Sequence, residues 1–241
     1  MVICLTTLGR VFAHAQRRQG YAGENPVRQL ERGERPRDDE PRERITLTPE
    51  QVGKVVAATG DGYSPVIAFI AQTGCRVSEA LGLVWADVDL GARTVRFERQ
   101  LAPDGTRAPL KTRASRRRID LPAETVRSLA ALKLAALDTR ASALVFQSKV
   151  GRPNRHNLNR ALYAACECAE VPKISAHGLR HAHGSALLAA GVDPATVAKR
   201  LGHSLAVLLS TYAHALDDAE RAKQRRAVLD GLYGTATVTA V

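Results

Sequence analysis

The chain of 241 residues carries 35 Lys and Arg against 24 Asp and Glu, which gives a formal net charge of +11. Hydrophobic residues make up 45% of the sequence, which is enough for a folded core and argues against global disorder. No apolar run approaches the roughly 18–20 residues that a membrane-spanning helix needs, so a membrane protein is excluded. The composition predicts a soluble, basic, globular protein of one or two domains.

The positive charge has two explanations. An arginine-rich composition can reflect a GC-rich coding sequence, or the charge can serve to bind a polyanion. In the second case nucleic acid is the leading partner, because Arg and Lys neutralise its phosphates. A membrane surface is disfavoured, since no basic amphipathic helix with an aromatic face stands out.

The cysteine content and the N-terminus predict a cytoplasmic protein. Four cysteines are too few for a disulfide framework in a chain of this length, which favours a reducing compartment. The apolar segment Met1–Gly9 lacks a positively charged leader and is interrupted by Arg10. We therefore interpret the N-terminus as a helix and not as a signal peptide.

The N-terminal part of the chain is predicted to be a helix followed by a linker. Residues 8–21 place apolar side chains on one face at helical spacing. Residues 24–45 are charged, contain three prolines and have almost no apolar side chains after Leu30, a composition typical of a linker. The compact domain is expected to begin at residue 46.

Helical periodicity dominates from residue 46 onward. Thr48 and Gln51 form a capping-box signature around Pro49, which marks a helix start. Residues 94–100 alternate as a strand, and a turn precedes two returning strands at 107–111 and 116–121. Helices are predicted at 49–59, 64–72, from Arg76, and at 122–137, 154–169, 176–190, 194–201, 205–213 and 216–230. The predicted fold class is mainly α with one small antiparallel β-sheet (α+β).

Three places concentrate polar residues beyond what a core requires. The first is Arg76 with Glu79, one helical turn apart; taken alone, this pair is most simply a solvated surface ion pair. The second is SAHGLRHAHGS at 175–185, where His177 and His181 have a spacing that can bind zinc. Arg180 between them would repel a dication and suits an anion better, although a metal site stays open as an alternative.

The third place is LGHS at 201–204 followed by STYAH at 210–214. A single tyrosine such as Tyr212 is by itself most often a half-buried packing residue. Lys111, at the edge of the predicted hairpin, is likewise most often a solvent-exposed edge-strand lysine. None of these residues, taken singly, indicates a function.

Taken together and in order, these motifs resemble the tyrosine recombinases, the phage integrase family of site-specific DNA recombinases. The resemblance runs over roughly residues 8–215 and rests on five segments. They are TGCRVSEALGL (73–83), LKTRASRRRIDLP (110–122), HGLRH (177–181), LGHS (201–204) and STYAH (210–214). Each segment is weak alone, but five in the right order and spacing are specific.

The resemblance implies cleavage of one DNA strand at a time through a covalent 3′-phosphotyrosyl intermediate, without a metal ion or other cofactor. Tyr212 would be the nucleophile, whose phenol needs activation as its proton leaves. Lys111 would donate a proton to the departing 5′-hydroxyl, and His177 would assist proton transfer from the tyrosine. Because the tyrosyl link conserves the phosphodiester energy, no ATP-binding signature is required.

The remaining catalytic residues are assigned by the same resemblance. Arg76, Arg180 and His203 would hold the non-bridging phosphate oxygens as charge develops in the transition state. Glu79 would orient Arg76 from the second layer of the site. The implied partner is double-stranded DNA at recombination sites of a mobile element, bound by a homo-oligomer that forms a tetrameric synapse on two sites.

The resemblance also implies a domain division. Residues 1–23 would be the last helix of an N-terminal core-binding domain, 24–45 a linker, 46–230 the catalytic domain and 231–241 a C-terminal tail. The chain is expected to be truncated at its N-terminus, with reduced affinity for DNA. The apolar residues 205–209 are expected to bury a short helix firmly, either presenting Tyr212 or locking it away.

Two other functions compete with the recombinase. One is a catalytically unproductive, DNA-binding remnant of an integrase. The other is a metallohydrolase built on the histidines at 177 and 181. Type IB topoisomerase activity would share the recombinase chemistry, so relaxation of supercoiled DNA would not separate these two activities.

Overall fold

The computed structural model describes residues 2–31, 33–34, 45–60, 62–110, 112, 115–147, 154–216, 226–229 and 231. The chain divides into two compact units, Met1–Arg44 and Ile45–Val241. Among the described residues, no helix combines the length and apolar character needed to cross a membrane.

The first unit consists of two helices, α1 (Val2–Arg18) and α2 (Pro26–Gln29). Asn25 caps α2 by accepting a hydrogen bond from the backbone N–H of Val27, and its Nδ2 donates to the Gly9 carbonyl at 2.9 Å. The segment predicted as a linker, 24–45, therefore contains a short helix near its start. The Asn-Pro pair, a helix-start signature, explains this short helix.

The helices of the second unit lie close to their predicted positions. Thr48 and Gln51 form the predicted capping box at the start of the first of them, with reciprocal hydrogen bonds of 3.3 and 2.9 Å. Of the predicted C-terminal helix 216–230, residues 226–229 are helical and residues 217–225 lie outside the described part. The helices are α3 (Pro49–Ala58), α4 (Ser64–Thr73), α5 (Val77–Leu81), α6 (Ala123–Ala135), α7 (Arg155–Cys168), α8 (Ala176–Ala189), α9 (Pro194–Leu201) and α10 (Leu205–Leu216).

The strands form two antiparallel sheets where one was predicted. The continuous strand expected at 94–100 breaks at Glu98, whose carbonyl accepts the N–H of Leu110, so the halves on either side of it enter different sheets. The orders are β1-β2-β5 and β3-β4, and Phe97 lies opposite Arg117 in the first. The strands are β1 (Val88–Asp89), β2 (Thr94–Phe97), β3 (Arg99–Leu101), β4 (Arg107–Pro109) and β5 (Arg117–Asp120).

Two clusters of buried side chains hold this unit together. The larger one is centred on α4, where Phe69 packs against the rings of Phe97 and Phe146. The smaller one joins α8, α9 and α10 and consists of Leu188, Val197, Ala198, Leu201, Leu208 and Tyr212. The candidate site residues lie on the elements that these two clusters fix.

The prediction that residues 205–209 bury their helix firmly is wrong. Leu205, Val207 and Leu209 remain 44%, 47% and 42% exposed, whereas Leu208 is fully buried. In a helix, residues four apart share a face, so Leu208 and Tyr212 point inward together and the other apolar side chains point outward. Helix α10 is therefore held in place by one narrow stripe of buried side chains, which includes Leu208 and Tyr212.

Candidate active site

The first arginine of the site follows a glycine turn. Helix α4 ends at Gly74, which adopts a left-handed conformation (φ 66°) that favours glycine. A Cβ at this position would lie 2.6 Å from His183, so the close approach of α8 also requires glycine. The turn leads directly to Arg76, which occupies the N-cap position of α5.

Arg76 is held by Glu79, the third residue of α5. Its backbone N–H donates to Glu79 Oε2 at 2.8 Å, and its Nη1 donates to Glu79 Oε1 at 2.8 Å. The Glu79 side chain is fully buried, while that of Arg76 is one-third exposed. The pair is therefore not the solvated surface ion pair that the spacing alone also allowed.

Arg117 binds the same carboxylate from strand β5. Its Nη1 and Nη2 donate to the two oxygens of Glu79 at 3.1 and 2.8 Å, and the guanidinium lies 4.5 Å from the ring centroid of Phe97. The sequence interpretation did not include Arg117. The signal was present, because Arg117 shares the inward face of the alternating strand with Ile119 and Leu121.

Arg180 lies on α8 and is almost completely buried. Its Nη1 donates to the Gly74 carbonyl at 2.7 Å, and its Nη2 donates to the Leu201 carbonyl and to His203 Nε2, the latter at 2.8 Å. Burial, followed by the charge of Arg76, lowers the pKa of Arg180 to about 10. The group still carries its charge at neutral pH, and no carboxylate of the described residues lies within 4 Å of it.

His203 follows Gly202, the left-handed residue that ends α9. An arginine can only donate, so the contact with Arg180 makes His203 Nε2 an acceptor and places the ring proton on Nδ1. Burial, and then the charges of Arg180 and Arg76, lower the pKa of His203 to about 4. His203 is therefore neutral at physiological pH.

These residues form one connected group, which we call the arginine cluster: Arg76, Glu79, Arg117, Arg180 and His203. Its members are joined across the fold because Arg76 Nη2 also donates to the Gly202 carbonyl at 3.2 Å. Arg76 and Arg117 bind the single carboxylate of Glu79, and Arg180 adds a third positive charge, so the cluster keeps a net positive charge. Such a group of fixed donors suits a phosphate.

A cleft of about 140 Å³ opens beside the arginine cluster. Arg76, Arg180 and His177 line it, together with Arg155 and Asn159 from α7, two residues that the sequence interpretation did not include. Asn159 accepts the N–H of Ala176 at 3.0 Å and so fixes the start of α8 at the edge of the cleft. The cleft is the place where an anion can meet the cluster.

A row of aromatic side chains in contact with one another runs from the cleft to Tyr212. The rings of His177 and His181 meet edge to face with centroids 4.4 Å apart, and His181 lies 5.5 Å from the ring of Tyr212. Tyr212 interrupts the helical geometry of α10 (φ −117°, ψ 19°) and is fully buried. Its phenol oxygen packs on Gly184, where a Cβ would lie 2.7 Å from it.

The remaining predicted site residue, Lys111, lies outside the described residues. Four of the others belong to the arginine cluster: Arg76, Glu79, Arg180 and His203. His177 lines the same cleft as Arg76 and Arg180, and ring contacts through His181 connect it to Tyr212. In the part of the chain that the structure describes, no three His, Cys, Asp or Glu side chains form a group that could hold a metal ion.

Known proteins resemble the chain in sequence. It is 28% identical over 166 residues to the tyrosine recombinase XerC of Bifidobacterium longum strain DJO10A, covering 66% of this chain and 45% of that protein. It is 30% identical over 188 residues to XerD of strain NCC 2705, covering 70% and 57%. The transposase of transposon Tn916 from Enterococcus faecalis is 26% identical over 214 residues, covering 78% and 52%. The chain thus spans about half the length of these relatives.

Solved structures share the fold. The Tn1549 transposon integrase in complex with circular intermediate DNA superposes with a TM-score of 0.70 at 23% identity, covering 92% of this chain and 78% of that one. A lambda integrase dimer bound to a core site gives 0.59 at 16% identity, covering 91% and 74%. These likenesses confirm the predicted fold class, with two small sheets in place of one.

The match to a family model agrees with the motifs. The model described as "Phage integrase family" matches residues 46–219, which include every predicted site residue. The match covers most of the chain and confirms the resemblance inferred from the five sequence segments. The chain therefore belongs to the phage integrase family.

Proposed function

We propose that the chain is the catalytic part of a site-specific DNA recombinase that cleaves and rejoins DNA strands through a covalent bond to Tyr212. The observation that carries this proposal is the arginine cluster, in which Arg76 and Arg117 bind one buried carboxylate and Arg180 contacts a neutral histidine. The relatives named above as recombinases, transposase and integrase support the same chemistry.

In the proposed cleavage step, the Tyr212 oxygen attacks the scissile phosphorus. A tyrosyl–phosphorus bond forms and the bond to the 5′-oxygen of the next nucleotide breaks. The phenol proton leaves toward His177, and Lys111 gives a proton to the departing 5′-hydroxyl. A 5′-hydroxyl of another strand then reverses the step, which rejoins the DNA without ATP or a metal ion.

The arginine cluster stabilises the transition state of this step. His203, whose Nε2 accepts from Arg180 in the DNA-free structure, would add a hydrogen bond only after its ring N–H is redirected to the phosphate. Arg76 and Arg180 would bind the non-bridging oxygens. Such donors are effective because they are already oriented and cost little reorganisation when charge develops. Glu79 keeps Arg76 in place through its two hydrogen bonds.

Tyr212 has to move before it can react, because it is fully buried against Gly184 and His181. The break in helical geometry at Tyr212 provides a point at which α10 can bend. We propose that binding of DNA favours the conformation in which the phenol enters the cleft. DNA can shift this equilibrium only by contacting that conformation more favourably.

The assembly and the domain roles are part of the proposal. The partner is double-stranded DNA, and strand exchange between two sites requires a homo-oligomer, a tetramer in the synapse. Residues 46–230 would form the catalytic domain, 1–23 the last helix of a core-binding domain, 24–45 the linker and 231–241 a tail. The protein would act in the cytoplasm.

A DNA-binding remnant without activity is the second candidate function. The burial of Tyr212 favours it, because a phenol that never leaves its seat cannot attack phosphorus. The basic surface would still attract DNA. The two functions differ only in whether a covalent adduct forms.

A trapping experiment separates them without knowledge of the target site. The chain is incubated with a pool of random-sequence duplexes that carry one nick, so that cleavage near the nick releases a short oligonucleotide and leaves the protein attached. We expect an SDS-resistant adduct with the wild type and with Tyr163→Phe, whose tyrosine is exposed on α7. We expect none with Tyr212→Phe. Bound DNA without any adduct would support the remnant, and sequencing the trapped strands yields a defined duplex for kinetics.

A further inference from the structure

We propose that Arg117, a residue outside the predicted catalytic set, is a positioning residue that orients Arg76 and the segment carrying His203 by acting through Glu79. This inference rests on the proposed function, since it assigns a role within the same site. Arg117 would not touch the DNA, because its side chain is 3% exposed.

The hydrogen bonds of Glu79 show how Arg117 acts. Oε1 accepts from Arg76 Nη1 at 2.8 Å and from Arg117 Nη1 at 3.1 Å. Oε2 accepts from the backbone N–H of Arg76 and from Arg117 Nη2, both at 2.8 Å. Each oxygen therefore binds both arginines. Without Arg117, the buried carboxylate keeps only half of these donors and is free to turn, and Arg76 turns with it.

Two further hydrogen bonds of Arg117 go to backbone carbonyls, one at the end of α9 and one just before strand β5. Nε donates to the Arg200 carbonyl at 2.6 Å, and Nη1 donates to the Ser115 carbonyl at 3.0 Å. A Cβ on Gly202 would lie 3.1 Å from Nη1, so the α9 turn packs directly on the guanidinium. One side chain thus connects the turn before His203 with the strand that follows the hairpin and with α5.

The charges around Glu79 decide how a variant would behave. Burial raises the pKa of Glu79, but hydrogen bonds and charge from Arg117, followed by Arg76, outweigh it and hold the pKa below its ordinary value. Arg180 also acts on this carboxylate, and the buried thiol of Cys75 stays neutral because burial raises its pKa to about 12. Removing Arg117 would raise the pKa of Glu79. Cleavage by the variant would then weaken more steeply than cleavage by the wild type as the pH falls.

The experiment compares Arg117→Met, Arg117→Lys and Glu79→Gln with the double variant of Arg117→Met and Glu79→Gln. The control is Arg140→Met, which removes an exposed arginine that pairs with Asp138. Single-turnover adduct formation and duplex affinity are measured between pH 5.5 and 8.5 on the duplex selected by trapping. Circular dichroism and melting temperature establish that each variant is folded.

We expect Arg117→Met to slow adduct formation about 10–100-fold with little change in duplex affinity, and more at pH 5.5 than at pH 8.5. Arg117→Lys keeps the charge and should recover part of the rate, and Arg140→Met should stay within about twofold of the wild type. The double variant should be no slower than Glu79→Gln alone, because one residue acts through the other. Additive losses, or a folded Arg117→Met with the wild-type rate and pH profile, would overturn the inference.

A second measurement separates this inference from the proposed function. Side-chain ¹⁵N spectra of the DNA-free protein report whether the Arg76 guanidinium is fixed, with the Arg76→Lys spectrum providing the assignment. Arg117→Met should broaden or abolish the Arg76 signals, and Arg140→Met should leave them unchanged. Absence of any wild-type adduct would defeat the proposed function alone. Unchanged Arg76 signals in Arg117→Met would defeat the positioning role, whether or not the wild type cleaves DNA.

Discussion

The arginine cluster and helix α10 would carry the two halves of the proposed site, and they are built differently. In the cluster, every guanidinium is tied to backbone carbonyls or to the buried Glu79, on elements that pack around the larger core. In α10, Tyr212 is held by packing in the smaller core, beside apolar side chains that face outward.

This difference indicates which half is preorganised. Donors that stabilise a transition state are most effective when they do not move, and hydrogen bonds from several segments fix the arginine cluster. A nucleophile that must leave a buried seat needs an element of lower local stability. The fold would thus keep the phosphate-binding half ready and make the reactive half conditional on DNA.

The largest effect on the rate of adduct formation is expected when a residue of the arginine cluster is replaced. Arg180→Lys keeps a positive charge but cannot hold Gly74, Leu201 and His203 at the same time. We expect the single-turnover rate of adduct formation to fall about 100–1000-fold, the usual effect of removing an oriented transition-state donor. Arg127→Lys, at an exposed ion pair on α6, is the control. A rate within threefold of the wild type would contradict preorganisation by Arg180.

The weaker attachment of α10 can be tested without DNA. Leu208→Ala removes the buried side chain that shares a face with Tyr212, and such truncations cost about 2–5 kcal/mol. We expect faster amide hydrogen exchange in α10 and unchanged exchange in α4. Val207→Ala, at a half-exposed neighbour, should change neither. Equal acceleration in both helices would mean that α10 is no independent unit.

A smaller effect is expected on the pH dependence of stability, from His183, which lies where α4, α8 and α9 pack together. Burial, followed by the charge of Arg200, lowers the pKa of His183 to about 4, and its Nδ1 contacts the Ala71 carbonyl at 3.1 Å. The unfolded state therefore binds more protons between about pH 6.5 and 4. The free energy of unfolding should fall as the pH drops through this range, by on the order of 2–3 kcal/mol from His183. His203 contributes in the same direction.

Denaturant unfolding at pH 7.5, 6, 5 and 4 measures this loss. His183→Gln should flatten the pH dependence, and His156→Gln, at an exposed position of α7, should leave it unchanged. If His183→Gln and the wild type lose the same free energy of unfolding, the buried neutral histidine is not its source.

Much of the fold could be predicted from local signals. Helix boundaries followed from apolar periodicity and from caps such as Thr48 and Gly74, which act within a few residues. The break at Glu98 could not be predicted, because β2 pairs with β1 and β5 whereas β3 pairs only with β4, and the sequence pattern does not show which strand pairs with which. Alternation alone does not show where one sheet ends.

The candidate site likewise contains residues that local motifs predict and contacts that only the packing of distant elements produces. Motif order predicts Arg76, Arg180, His203 and Tyr212 as site residues, because each lies in a segment that resembles the family. Arg117 was missed although it alternates with apolar residues, since a charged residue in a strand is usually taken as exposed. The contact of the Tyr212 phenol with Gly184 depends on how α10 packs against α8. No pattern within either helix predicts that contact.

The most direct test of the central claim is to locate the covalent bond. After trapping, the adduct is digested with nuclease and trypsin and analysed by mass spectrometry. Cleavage after Arg200 and Arg221 gives the peptide 201–221, in which Tyr212 is the single tyrosine. We expect a 3′-linked nucleotide phosphate on this peptide, at Tyr212. A nucleotide on any other residue, or DNA bound tightly without any modified peptide, would contradict the claim.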